Sequence, residues 1–239
     1  MFEAKEVKQN TVSARGQVPL SSLLQIYDVK NAKIRILFVG NSITYHAPKP
    51  EIGWFGRWGM AASCEKNDYV HQVVNMLETH YGKVGYGVAQ LAQWEITFDE
   101  KSQEWKDNYC GMESFDADVA VIRMGENIPD TKLELTNVES YIEDMITFFG
   151  KGCKQIIVTD CFWKREKLDN LLKKICDDNG YTFCQLSDLY ENSKVMAFGQ
   201  FEHHGVSLHP SDYGMELIAT RIVELINRRY SANHISNSN

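Results

Sequence analysis

The chain has 239 residues and carries 25 Lys and Arg against 32 Asp and Glu, a formal net charge of −7. At 44% hydrophobic and 24% charged residues, its composition is that of a globular protein and excludes collagen-like, disordered and coiled-coil chains. Apolar runs such as Ile36 to Val39 and Val119 to Ile122 fall far short of the ~18 residues that a membrane-spanning helix needs. An acidic chain without a Lys/Arg stripe also gives nucleic acid little to bind.

In chain order, the polar N-terminal stretch MFEAKEVKQN lacks the apolar segment of a signal peptide, which points to a cytoplasmic location. Residues 1–32 read as an arm with one or two short strands, around Val18 to Leu20 and Leu23 to Tyr27. The β-branched run Ile34 to Val39 predicts a first central strand. Helical periodicity over Tyr69 to Tyr81 follows, then a strand over Val84 to Ala89 and another over Val119 to Met124. The stripe Leu135, Val138, Ile142, Met145, Ile146 and Phe149 predicts a helix over Leu133 to Phe149, stopped by Gly150 and Gly152. A strand over Gln155 to Thr159, a helix over Arg165 to Asp177, a strand over Thr182 to Leu186 and a helix over Asp212 to Arg229 complete the pattern. The small, polar segment 231–239 is expected to fray.

Strands alternating with helices predict one α/β domain over residues 33–230, with a mainly parallel sheet covered on both faces. Five strands are expected in that domain. The six cysteines never form C-x-x-C and are expected to be reduced structural thiols.

Ligands of such a sheet bind beyond the carboxyl ends of its strands. After the first strand comes Gly40-Asn41-Ser42-Ile43-Thr44, which is either an ordinary glycine turn or a turn exposing a serine hydroxyl. After the third comes Gly125-Glu126-Asn127, and His209-Pro210 directly precedes the last helix. With flavodoxin-like strand order the first and third strands are neighbours ~4.8 Å apart. Ser42 and Asn127 then share one edge, and His209 arrives from a later loop. A hydroxyl, an amide donor and an imidazole are the parts of a nucleophilic hydrolase.

These blocks resemble the SGNH hydrolases, the GDSL-type esterases and lipases, over about Ile34 to Arg229. ILFVGNSIT places Ser42 at the family's nucleophile, and VIRMGEN places Asn127 at its side-chain oxyanion donor. WGMAAS offers Gly59 as a backbone oxyanion donor beside the N–H of Ser42 itself, and SLHPSDYGM supplies His209 as general base. The resemblance implies a three-layer α/β/α sandwich, flavodoxin-like, and an esterase that needs no metal and no organic cofactor. One position departs from the pattern. The family's Asp three residues before the His is Val206 here, so His209 is oriented by a backbone carbonyl near Val206, by Glu202 or Asp160, or not at all.

Between Ser42 and the next helix, a stretch rich in Pro and Gly carries Trp54, Phe55 and Trp58. Trp54 and Trp58 either form a platform for a sugar ring or pack the loop down. Glu202-His203-His204 has no metal-site spacing. Arg123, alone in an apolar strand, is expected to pair with a buried carboxylate. The reading is a Ser–His esterase that removes a short acyl group, acetyl above all, from a carbohydrate or similar alcohol. The alternatives are a non-catalytic carbohydrate-binding protein on the same fold, and a thioesterase or lysophospholipase.

Overall fold

A computed structural model describes residues 16–100 and 103–236. Six strands form one sheet in the order β1-β3-β2-β4-β5-β6. They are β1 (Leu24–Tyr27), β2 (Ile34–Gly40), β3 (Val84–Gln90), β4 (Val119–Arg123), β5 (Gln155–Thr159) and β6 (Thr182–Cys184). Five are parallel to their neighbours, in the flavodoxin-like order. The sixth, β1, comes from the N-terminal arm and adds antiparallel to the edge strand β3. The sheet is therefore one strand wider than the five expected. Residues 1–15 and 237–239, which hold the start of the predicted arm and the end of the predicted tail, lie outside the described residues.

The helices are α1 (Tyr69–Tyr81), α2 (Ala92–Thr97), α3 (Val138–Gly150), α4 (Glu166–Asn179), α5 (His204–Ser207) and α6 (Asp212–Ser236). The α3 helix starts later than its apolar stripe predicts, because residues Asp130–Glu134 form a 3-10 turn and Leu135 is extended. In contrast, α6 runs past the expected end at Arg229.

Two apolar layers follow from strand alternation. Ile34, Ile36 and Phe38 of β2 face Tyr69, Val73 and Leu77 of α1 and Met215, Ile218 and Ile222 of α6. Leu37 and Val39 face the other way, into a cluster with Ile142 and Ile146 of α3 and Leu168 and Leu172 of α4. Both faces of the central strands are buried, as in parallel sheets generally.

From β2 the chain crosses to β3 on one side, and from β4 it crosses to β5 on the other. The carboxyl ends of β2 and β4 thus flank the point where strand order reverses, where such sheets open a crevice. Gly40, the last residue of β2, leaves no room for a side chain there. A Cβ on it would lie 2.1 Å from Thr44 Oγ1 and 2.6 Å from the Arg123 carbonyl oxygen. Gly40→Ala is therefore expected to lower the unfolding free energy by about 1–3 kcal/mol, measured by urea denaturation. An unchanged midpoint would contradict the close approach.

Candidate active site

Ser42 leaves β2 in the turn that follows Gly40, and its Oγ lies 2.7 Å from His209 Nε2. His209 precedes α6, with its backbone N–H held by the Val206 carbonyl at 3.0 Å. The imidazole Nδ1 lies 2.8 Å from the Gly205 carbonyl oxygen. A carbonyl only accepts, so Nδ1 carries the proton, and a neutral ring presents the Nε2 lone pair to the Ser42 hydroxyl. Burial pushes the His209 pKa down to about 4, which keeps the ring neutral at neutral pH. The edge of His209 meets Trp163 at 5.4 Å between ring centroids and 88°, and Trp163 Nε1 donates to the Leu208 carbonyl. A hydroxyl joined to a neutral, braced imidazole is an arrangement that can activate a nucleophile.

The orienting acceptor is thus the Gly205 carbonyl, one residue before the expected Val206. Val206 is wholly buried against Trp54, Met60, Ala61 and Ala197. Glu202 is exposed. Asp160 instead accepts the backbone N–H groups of Leu186 and Ser187, which holds the loop after β6, and burial raises its pKa to about 6.

Asn127 stands beside Ser42 at the end of β4 and lines the same cavities. Gly125 makes this possible by turning the chain at φ +125°, a conformation that a side chain rarely adopts. Gly59 does not join them. Its N–H donates to Asp68 Oδ2 at 3.0 Å, and a Cβ there would lie 2.5 Å from the Ile43 carbonyl oxygen, so it packs behind the serine turn. The residue that follows β3 into the site is Ala92, whose N–H is held by Gln90 Oε1 at 3.0 Å. The Ser42 N–H donates to no partner among the described residues.

Trp54 and Trp58 form no platform at this site. Trp54 is buried and packs edge-on against Trp58, whose Nε1 donates to the Ala62 carbonyl. The aromatic walls near Ser42 are Trp163 and Tyr190, in a cavity of about 530 Å³ shared with Asp130, Lys164 and Arg165. On the other side of Ser42, a cavity of about 30 Å³ is bounded by Ile52, Met60, Ala92 and Val206.

Under both cavities lies a buried polar cluster that periodicity alone does not reveal. Arg123 pairs with Glu126 and donates to Asn41 Oδ1, so the expected buried carboxylate is its i+3 neighbour. Asn41 Nδ2 reaches Glu126 Oε2 at 2.6 Å and Glu95 Oε1 at 3.1 Å. Glu95, from α2, also accepts the Gly125 N–H and Asn127 Nδ2. Two sequence signals could have located it, Glu95 within LAQWEITF and Arg123 three residues before Glu126. Among the described residues, no group of three or more His, Cys, Asp or Glu could hold a metal ion. None of the helices among the described residues is long and apolar enough to cross a membrane.

The chain matches no protein-family model and no curated protein sequence. Solved structures do resemble it. A family 3 carbohydrate esterase from Clostridium thermocellum is similar at TM-score 0.53 and 15% identity, over 80% of this chain and 94% of that one. A catalytic mutant of an acetylxylan esterase from Geobacillus stearothermophilus gives TM-score 0.51 and 17% identity, over 81% and 94%. An alpha/beta hydrolase enzyme from the metagenome of Lake Arreo, Spain, gives 0.52 and 14%, again over 81% and 94%. At these identities the likeness speaks for the architecture, and with the sheet order it establishes that this chain has the SGNH hydrolase fold.

Proposed function

We propose that the protein is a serine esterase that removes acetyl groups from a carbohydrate or similar polyol. The observation that carries this reading is the chain of contacts from Ser42 Oγ to His209 Nε2, and from His209 Nδ1 to the Gly205 carbonyl. Ser42 Oγ attacks the ester carbonyl while His209 Nε2 takes its proton and then returns it to the leaving alcohol. The Ser42 N–H and the Asn127 amide stabilise the oxyanion, each donor contributing about 10²–10³ in rate. Water, deprotonated by the same imidazole, then hydrolyses the acyl-enzyme. No step calls for a metal or organic cofactor.

The two cavities support the division of the substrate. A single water needs about 10–15 Å³ of such space, so the 30 Å³ cavity holds about two to three heavy atoms and suits a group no larger than the three of an acetyl. The larger cavity, with aromatic faces and mixed charges, suits a hydroxyl-rich leaving group. Similar folds named as acetylxylan and carbohydrate esterases agree with this choice.

Chain-length selectivity follows directly. Against p-nitrophenyl acetate, the octanoate ester is expected to lose at least about 10-fold in kcat/KM, read by p-nitrophenolate release. Ser42→Ala is expected to abolish turnover, with a loss on the order of 10⁶-fold in kcat. A preference for octanoate would overturn the acetyl assignment, and a fully active Ser42→Ala would overturn the mechanism.

The His209 contact generates a separate test. In a serine protease, replacing the orienting aspartate by asparagine lowers kcat about 10⁴-fold by holding the wrong tautomer. The Gly205 carbonyl holds the right one, so a carboxylate at position 206 has little to add. Val206→Asp would bury an unpaired charge among Trp54, Met60 and Ala197, at about 3 kcal/mol. The expected outcome is a melting temperature lower by roughly 6–12 °C and no gain in kcat. A higher kcat at unchanged melting temperature would show that the carbonyl is an inadequate partner.

A further inference from the structure

Glu95 is fully buried and takes no part in the reaction proposed above. Every hydrogen bond of its carboxylate is accepted, from Asn127 Nδ2, the Gly125 N–H and Asn41 Nδ2. Those donors lie on the turns that follow β4 and β2, the two turns that carry Asn127 and Ser42. We infer that Glu95 is a positioning residue that sets which end of the Asn127 amide faces the serine; the inference rests on the esterase reading for its catalytic consequence.

The argument is one of donor and acceptor inventory. An asparagine amide has a donating end and an accepting end of nearly equal shape, and a carboxylate only accepts. Facing Glu95, Asn127 must therefore present Nδ2. Its second N–H has no partner among the described residues and is left for an oxyanion. Were the amide reversed, Oδ1 would oppose the Glu95 carboxylate and also turn a lone pair toward the developing negative charge.

Protonation of Glu95 reverses this logic, because a carboxylic acid donates. The charged groups around it are Glu126 and Arg123 from β4 and its turn, with His209 beyond Ser42 and Tyr69 of α1 beyond Arg123. Lys132 and Asp99 pair with each other at the far end of α2, where Lys132 also donates to the Ile96 carbonyl. Two carboxylates thus share one guanidinium. Burial and the neighbouring Glu126 charge push Glu95 up to about 7, against the three N–H donors that lower it. A proton is taken up as pH falls through that value. The amide then reverses, and activity is lost well above the pH at which His209 would protonate.

The test follows the Asn127 side-chain amide by ¹⁵N–¹H NMR of the full chain from about pH 5 to about pH 9, assigned by its absence in Asn127→Asp. In the wild type the signal is expected to move with a midpoint near 7, and in Glu95→Gln it should stay fixed. With p-nitrophenyl acetate, Glu95→Gln is expected to lower kcat about 10²-fold with KM changed less than about twofold. Combined with Asn127→Ala it should add no further loss. Glu95→Asp, which keeps an acceptor-only group, should recover part of the rate. An Asn127 amide signal at about pH 9 that is the same in Glu95→Gln as in the wild type would overturn the inference. So would a wild-type kcat in folded Glu95→Gln. If Ser42→Ala kept full turnover, the esterase reading would fail while the amide titration still decided the role of Glu95.

Discussion

The side-chain amide of Asn41 lies between two buried carboxylates, and the site is assembled around that contact. Its nitrogen serves Glu126 and Glu95, and its oxygen accepts from Arg123. Ser42 is the next residue along the chain, so the proposed nucleophile is fixed through its neighbour. Asn127 is fixed through Glu95, on the opposite flank of the switch point. An aspartate at position 41 would add a third carboxylate against a single guanidinium, and a buried excess of negative charge is unfavourable. The amide is the group that satisfies both partners without adding charge.

A second constraint concerns the imidazole. With Val206 packed into an apolar pocket under the aromatic loop, the chain orients His209 with a backbone carbonyl and braces it with Trp163. A carbonyl fixes the tautomer but carries no full charge to stabilise an imidazolium. Burial sets the low pKa of His209, and the hydrogen bond to the Gly205 carbonyl offsets only part of it. The ring is held neutral and in position, and in the proposed mechanism the oxyanion donors carry a correspondingly larger share of the electrostatic stabilisation.

The sequence makes most of the scaffold legible because its signals are local. The apolar run IRILFV, interrupted only by Arg35, becomes β2, and the periodicity of Tyr69 to Tyr81 has the bounds of α1. Ser42, Asn127 and His209 each follow a strand or precede a helix, so topology brings them to one edge. What escapes such reading depends on contacts between segments distant in the chain. Gly59 looks like an oxyanion donor until Asp68 takes its N–H. Trp54 and Trp58 look like a sugar platform until they pack on each other, while Trp163 takes the place beside His209. Strand β1 is expected from the run Leu23 to Tyr27, and only its antiparallel place beside β3 depends on distant contacts. Helix α2, only six residues long, is too short for its periodicity to stand out.

The central claim is that Ser42 is an activated nucleophile. The most direct measurement is the intact mass of the protein after reaction with a fluorophosphonate, followed by mapping of the modified peptide. The account predicts one adduct per chain, located on Ser42, absent in Ser42→Ala and formed much more slowly in His209→Ala. A folded wild-type protein that forms no adduct, or one modified at another residue, would contradict it.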